Sequence, residues 1–423
     1  MPVNPAPTIL SFEEARHLVE EHARRVRPRG KELVELLDAD GRVLAEPVIA
    51  DRSFPPFPRA TRDGYAVRAA DVAEVPSGLD VIGEIKAGSD IRLQISAGQA
   101  AAIMTGAPAP PGADAVVMVE YTARSGDRVE INKRVTAGEN IVPAGSEAKR
   151  GERLLLPGTR LDHAAIAVAA SVGKSLLLAY SRPRVSVLAT GDEVVDIDIT
   201  PAAQQIRNSN TYSLGVQIQA AGGEPLLLPI APDEPGRLRE LIIDGLEADL
   251  LLLTGGVSMG KYDLVEQVLQ DLGAEFFFTG AQIQPGRPVV FGRIPCSSGA
   301  PAQEASTAEA AHKYFFGLPG NPISTMVTFE LFTRPMLEAF AGLAPRKLIF
   351  LHARLKSEIK TKTGLRRFLP AVLSGEFETA EVELVSWQGS GDIAATARAN
   401  CYVVVPPDRE RISAGEWVPV LPR

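Results

Sequence analysis

Several short stretches of this chain carry residues whose chemistry goes beyond packing. Thr190-Gly191-Asp192-Glu193 sets two carboxylates behind a glycine. Paired acids of that kind hold Mg²⁺ through oxygen ligands, or position an oxyanion-bearing reactant through the metal. Thr254-Gly255-Gly256-Val257-Ser258-Met259-Gly260-Lys261-Tyr262-Asp263 is glycine-rich, and the backbone N–H groups of such a loop cradle phosphate. Asp263 is a second candidate metal ligand. Gly255 to Lys261 fits G-x-x-x-x-G-K, but Tyr262 stands where a P-loop needs Ser or Thr, which excludes the Walker A reading. Gln284-Pro285-Gly286-Arg287-Pro288 is a stiff turn holding one guanidinium, suited to bidentate phosphate binding. In Gly317-Leu318-Pro319-Gly320-Asn321-Pro322-Ile323-Ser324, Asn321 is placed to cap and Pro322 to open a helix. Free N–H groups and the Ser324 hydroxyl would then face outward at its positive end. Arg207-Asn208-Ser209-Asn210 contains strong N-cap residues, and a structural cap and a ligand-facing helix end weigh evenly there. Arg62-Asp63-Gly64-Tyr65-Ala66 and Met104-Thr105-Gly106-Ala107-Pro108 read, on their own, as ordinary turns.

The elements that must position these residues follow from the pattern around them. Ser11 with Glu14 forms a capping box that opens a helix running to about Arg27. Short strand-like runs at 80–85, 100–104, 115–119 and 128–131, separated by Gly and Pro turns, predict a β-domain. A helix over 161–172 returns after it, so the β-segment is an insertion. From Pro183 onward strands alternate with helices, which predicts βαβ units and a parallel sheet. Ligands of such a sheet bind outside the carboxyl ends of its strands, where the loops above lie. The Ala- and Ser-rich segment 294–313 reads as a hairpin insert without chemistry, and strand-like runs after the 344–346 hinge form a small terminal β-domain. The expected fold is a multidomain α/β protein around a central parallel sheet. Residues 8–50 with 146–181 form a helical N-terminal and linking domain, 51–145 the inserted β-domain, 182–343 the parallel α/β domain, and 344–423 the C-terminal β-domain.

Bulk properties narrow the function. The chain has 423 residues, 45% of them hydrophobic, and a formal net charge of −8, with no basic run to suggest nucleic acid. Two cysteines without C-x-x-C and five scattered histidines without H-E-x-x-H argue against a disulfide framework and a zinc site. No apolar run is long enough to cross a bilayer and no signal pattern opens the chain, so a cytoplasmic protein without membrane contact is expected.

FPPFPRATRDGYAV, IMTGAPAPPGADAVVMVE, TGDEVV, IRNSN, TGGVSMGKYD, QPGRP and GLPGNPIS occur in that order, and as a set they resemble the molybdopterin molybdenumtransferases, the MoeA-type proteins and the gephyrin E-domain. The resemblance spans about residues 11 to 422. It implies an elongated homodimer that inserts molybdenum from molybdate into adenylylated molybdopterin, releasing AMP, with Mg²⁺. It further implies an active cleft between the parallel-sheet domain and the β-domain of the partner. Asp63 and Thr105 then become catalytic residues contributed across the dimer, beside Glu193 and Asp263, which would also hold the metal. Asp192, Ser209, Gly255, Gly256, Ser258, Gly260, Pro285, Gly286, Arg287, Gly320, Asn321, Pro322 and Ser324 are the expected pterin-nucleotide contacts, with Asp233 a weaker candidate and Arg366 the expected molybdate cation. The upstream adenylyltransferase and cofactor-accepting enzymes are implied partners. Gln284 and Arg287 stand where the family often has lysines, and Leu365 where an arginine commonly follows glycine. The alternatives are a same-fold enzyme handling adenylyl or pyrophosphate groups, and a dimeric scaffold of weakened catalysis.

Overall fold

This computed structural model describes residues 8–88, 93–256, 264–295 and 312–423. Strands buried on both faces read as continuous apolar runs, and Arg184–Ala189, Leu250–Thr254 and His312–Leu318 form the middle of a six-stranded sheet. Its spatial order is Glu224–Leu227, Arg184–Ala189, Leu250–Thr254, His312–Leu318, Val290–Pro295, Glu275–Phe278. The first four are parallel. Val290–Pro295 runs against both neighbours, so the sheet is mixed where the sequence predicts a parallel one. The reason is connectivity: Val290–Pro295 and His312–Leu318 are successive strands paired directly, which needs no crossover helix.

Side-chain alternation divides this sheet's core into two layers. Val185, Val187, Leu250 and Leu252 face one. Leu188, Leu251 and Leu253 face the other, against Leu238, Leu241 and Val265 of the covering helices. Each fully buried side chain of this size contributes about 2 kcal/mol. The first helix, Phe12–Arg25, opens with the expected capping box, Ser11 Oγ accepting from the Glu14 N–H. It packs not in the linking domain but in the α/β core: Phe12, Ala15, Val19 and Ala23 join Phe291, Phe316 and Phe332. His22 stacks on Phe277 with ring centroids 4.0 Å apart, a core histidine. The strand Ile9–Leu10 pairs with Gly280–Ala281 of the same domain. Residues 8–26 therefore belong structurally with the sheet, although the sequence grouping put them with the linking domain.

The linking layer is built by Lys31–Glu35 pairing with Leu176–Tyr180 and Val48–Ile49 with Arg153–Leu155, around the helix His163–Ser171. Between them the chain forms a second six-stranded sheet in the order 115–118, 64–67, 99–103, 77–85, 128–131, 122–125. Gly64–Val67 lies inside this sheet, not in a turn. Arg-Asp-Gly reads as a turn locally, but glycine is needed at position 64 because a Cβ there would sit 1.9 Å from the Val117 carbonyl oxygen. After residue 350, Arg366–Ser374, Glu381–Leu384, Leu351–Leu355, Trp417–Pro422 and Cys401–Val405 close into a ring of five strands, because the first also pairs with the last. Ile283–Gln284 of the α/β domain adds to this barrel alongside Arg366–Arg367.

Candidate active site at the switch point of the sheet

The helix Ser209–Ala220 carries the chain from Arg184–Ala189 outward to Glu224–Leu227, and Pro235–Gly245 carries it back past that strand to Leu250–Thr254. The chain leaving Leu250–Thr254 goes the other way, by Leu264–Asp271 to Glu275–Phe278 at the opposite edge, so the connections part between Arg184–Ala189 and Leu250–Thr254 and a crevice opens at their carboxyl ends. A cleft of about 380 Å³ lies there. Its lining includes Glu193, Ser209, Gly255, Gly256, Gly320, Asn321 and Pro322 of the sequence-derived set. Loops distant in sequence are brought together because each follows a strand end.

Glycines allow the close approach. At Gly255 a Cβ would lie 2.6 Å from the Thr190 carbonyl oxygen, and φ is +90°. Gly320 faces Gly255, its Cβ position 3.6 Å from the Gly255 Cα. Asn210 ties the loops: Nδ2 donates to Thr254 Oγ1 at 3.0 Å and to the Gly320 carbonyl at 2.8 Å. Asn208 caps the helix, accepting from the Thr211 N–H at 3.2 Å. The structural part of the Arg207–Asn210 reading therefore falls to the Asn208 side chain, and all four residues line the cleft.

Other expected residues sit elsewhere. Asp192 accepts from the Asp233 N–H at 3.1 Å and braces the loop without lining the cleft. Asn321 stands at the N-cap but its side chain makes no capping bond. The outward-facing helix end is partly filled. Pro322 has no N–H, the Ile323 N–H donates to the Ser390 carbonyl at 3.0 Å, and Ser324 is only 4% exposed. The C-terminal barrel occupies space that the sequence reading left open. Pro285 and Gly286 are buried, Gly286 against Thr328, while Arg287 is exposed beside the lining residue Pro288. Arg366, expected to meet molybdate, is ion-paired with Glu13 and lies over the Phe12 ring at 5.4 Å. It joins the barrel to the first helix and is not in the cleft lining. Ser258, Gly260 and Asp263 lie outside the described residues.

Asp63 and Thr105 come together in the β-domain, where the Thr105 N–H donates to Asp63 Oδ1 at 2.6 Å. That bond holds the exposed Asp63 carboxyl below the usual aspartate range. Neither residue lines the cleft of its own chain. For a metal, no group of three or more His, Cys, Asp or Glu gathers among the described residues. Glu193 is the one carboxylate among the described lining residues. An open site of that kind fits Mg²⁺, which binds through one or two carboxylates and takes its remaining oxygens from substrate phosphates and water. The lining residues outside the sequence-derived set include Thr190, Ile206, Arg207, Thr254 and Pro319. Their signal was positional, since each flanks a strand end or helix start.

Fold and cleft define an α/β protein with a candidate ligand cleft at the switch point of a mixed sheet, flanked by an inserted β-domain and a terminal barrel. Three domain families match the chain in order: "MoeA N-terminal region (domain I and II)" over residues 10–173, "Probable molybdopterin binding domain" over 186–339 and "MoeA C-terminal region (domain IV)" over 352–422. A molybdopterin molybdenumtransferase of Nostoc sp. is 36% identical over 92% of this chain and 88% of its own length. One of Bacillus subtilis is 31% identical over 95% and 93%. The crystal structure of a molybdopterin biosynthesis MoeA protein from Pyrococcus horikoshii OT3 superposes with a TM-score of 0.77 at 27% identity, covering 98% of this chain and all of that one. The chain belongs to the molybdopterin molybdenumtransferase family.

Proposed function

We propose that this protein inserts molybdenum from molybdate into adenylylated molybdopterin and releases AMP, yielding molybdenum cofactor. The observation that carries the reading is the cleft itself: glycine loops, a helix start and one exposed carboxylate converge at the switch point of a domain that matches the molybdopterin-binding family. The cleft walls give the substrate two kinds of contact. Val194, Ile206, Pro288 and Pro319 offer apolar surface for flat rings, and the Gly256 backbone with the Ser209 and Asn210 start of the helix Ser209–Ala220 offers N–H groups for the phosphates. Glu193 and Asp263 would hold Mg²⁺, which when bound supplies a Lewis acid at the pyrophosphate. The dithiolene sulfurs belong to the substrate, so no protein thiol takes part.

The active assembly in this reading is a homodimer in which the β-domain of one protomer brings Asp63 and Thr105 to the cleft of the other. The supporting observation is that the Asp63–Thr105 pair is preformed and exposed, yet stands outside its own chain's cleft. The upstream adenylyltransferase delivers the substrate and cofactor-accepting enzymes take the product. No helix among the described residues is long and apolar enough to cross a membrane, and the reading places the protein in the cytoplasm.

The test is kinetic. Glu193→Gln and Asp263→Asn should keep AMP affinity within about threefold and lower AMP release roughly a hundredfold. Unchanged turnover in both variants would remove the carboxylate–metal role.

A further inference from the structure

We infer that Arg207 is the cation that binds the anionic part of the ligand in this cleft. The inference rests on the proposed reading of the cleft as a pterin-nucleotide site, and adds to it the residue that holds the phosphates. Among the described lining residues Arg207 is the only Lys or Arg. It is exposed, and no described carboxylate pairs with it. In a chain of net charge −8 whose other described cleft-lining charge is Glu193, a guanidinium without a described carboxylate partner stands at the ligand site.

Its orientation is fixed from behind. Arg207 Nε donates to the carbonyls of Ile197 at 3.0 Å and Ile199 at 3.2 Å, in the loop that begins with Glu193. The backbone closes the same loop, the Ile206 N–H donating to the Glu193 carbonyl at 2.8 Å and the Asn208 N–H to the Val195 carbonyl at 2.9 Å. With Nε held by the loop, the two Nη groups have no bond to a described residue and remain for a ligand. A planar guanidinium pinned at one nitrogen loses little freedom when the other two meet a phosphate, whereas a lysine could not bridge loop and ligand together. Arg207 also lies just before the start of Ser209–Ala220, where the helix dipole adds to the attraction for an anion. Where the family often has lysines the chain carries Gln284 and Arg287, and Arg287 does not line the cleft. Among the described residues, phosphate affinity is thereby left to Arg207 and the backbone.

The experiment measures binding of AMP, adenosine and inorganic pyrophosphate to the full chain and to Arg207→Ala and Arg207→Lys, with melting temperatures as a check on folding. The inference expects Arg207→Ala to weaken AMP and pyrophosphate at least tenfold, to leave adenosine within twofold, and to flatten the salt dependence of AMP binding. Arg207→Lys should recover part of the loss. Equal weakening of AMP and adenosine would show that Arg207 only braces the loop, and no weakening of either would show that it contributes nothing; both overturn the inference. Arg207-dependent pyrophosphate binding without any affinity for AMP would keep the inference and sink the pterin-nucleotide reading instead.

Discussion

Asp63 shows how a single exposed side chain is prepared for work. The Thr105 amide holds its carboxyl below the ordinary aspartate value of 3.8. A carboxylate with a depressed folded value contributes stability above its unfolded value and loses it as pH falls through the folded one. The Asp63–Thr105 tether therefore persists throughout the neutral range and is released only in acid below the ordinary aspartate value. Asp63→Ala should lower turnover roughly tenfold or more by freeing Thr105, with little change in melting temperature because the pair is exposed; a large fall in melting temperature with intact turnover would mark the pair as structural. Cys401 is the opposite case. Burial pushes its thiol up to about 11, and it bonds to the Ala371 carbonyl at 3.3 Å. A thiolate is the reactive form, so a maleimide at pH 7.5 should label at most one of the two cysteines in the native protein and both after denaturation. Two labels on the native protein would refute the burial of Cys401.

Among the elements, the loop after Leu250–Thr254 shows why glycine spacing was legible and side-chain roles were not. Gly255 and Gly256 are required by local geometry, which leaves its mark in the sequence. A Cβ at 256 would meet Val265 Cγ2 at 2.7 Å and Thr190 Oγ1 at 2.8 Å. Gly255→Ala should cost about 1–3 kcal/mol at this strained backbone and weaken AMP binding in step; a variant with wild-type stability and affinity would refute the close approach. The helix that Pro322 opens runs in three pieces, Pro322–Thr328, a π-segment Phe329–Thr333 and Arg334–Phe340. Pro335 cannot bond to the carbonyl four residues back. That carbonyl, of Leu331, accepts from Arg16 Nη1 of the first helix. The proline was visible in the sequence; its compensation, supplied 315 residues away, was not. The same holds for Arg366, whose partner Glu13 is 353 residues distant, and for Gly64–Val67, where a strand is set by neighbours on both sides rather than by its own Arg-Asp-Gly start.

At the scale of the whole molecule, alternation of strands and helices announced the α/β domain and turn spacing announced the β-domains. Closure of the terminal barrel, and its contacts with the α/β domain through Ile283–Gln284 and Ser390, depend on pairings no local pattern encodes. A charged hub holds the layers together. Glu338, 4% exposed, bonds Arg160 of the linking layer at 3.4 Å and Arg346 of the hinge at 3.2 Å, with Arg334 at 3.9 Å. Glu338→Ala would leave these arginines facing one another. A buried partner removed costs about 3–5 kcal/mol, reduced here to about 2 because Arg346 is largely exposed. The melting temperature should drop by several degrees, and an unchanged value would show that apolar packing alone joins the layers. The central claim concerns chemistry, and one measurement reaches it directly: AMP release from adenylylated molybdopterin with Mg²⁺, in the presence and absence of molybdate. The account predicts release that requires molybdate and leaves active molybdenum cofactor behind. Binding of the substrate without molybdate-dependent release would contradict it.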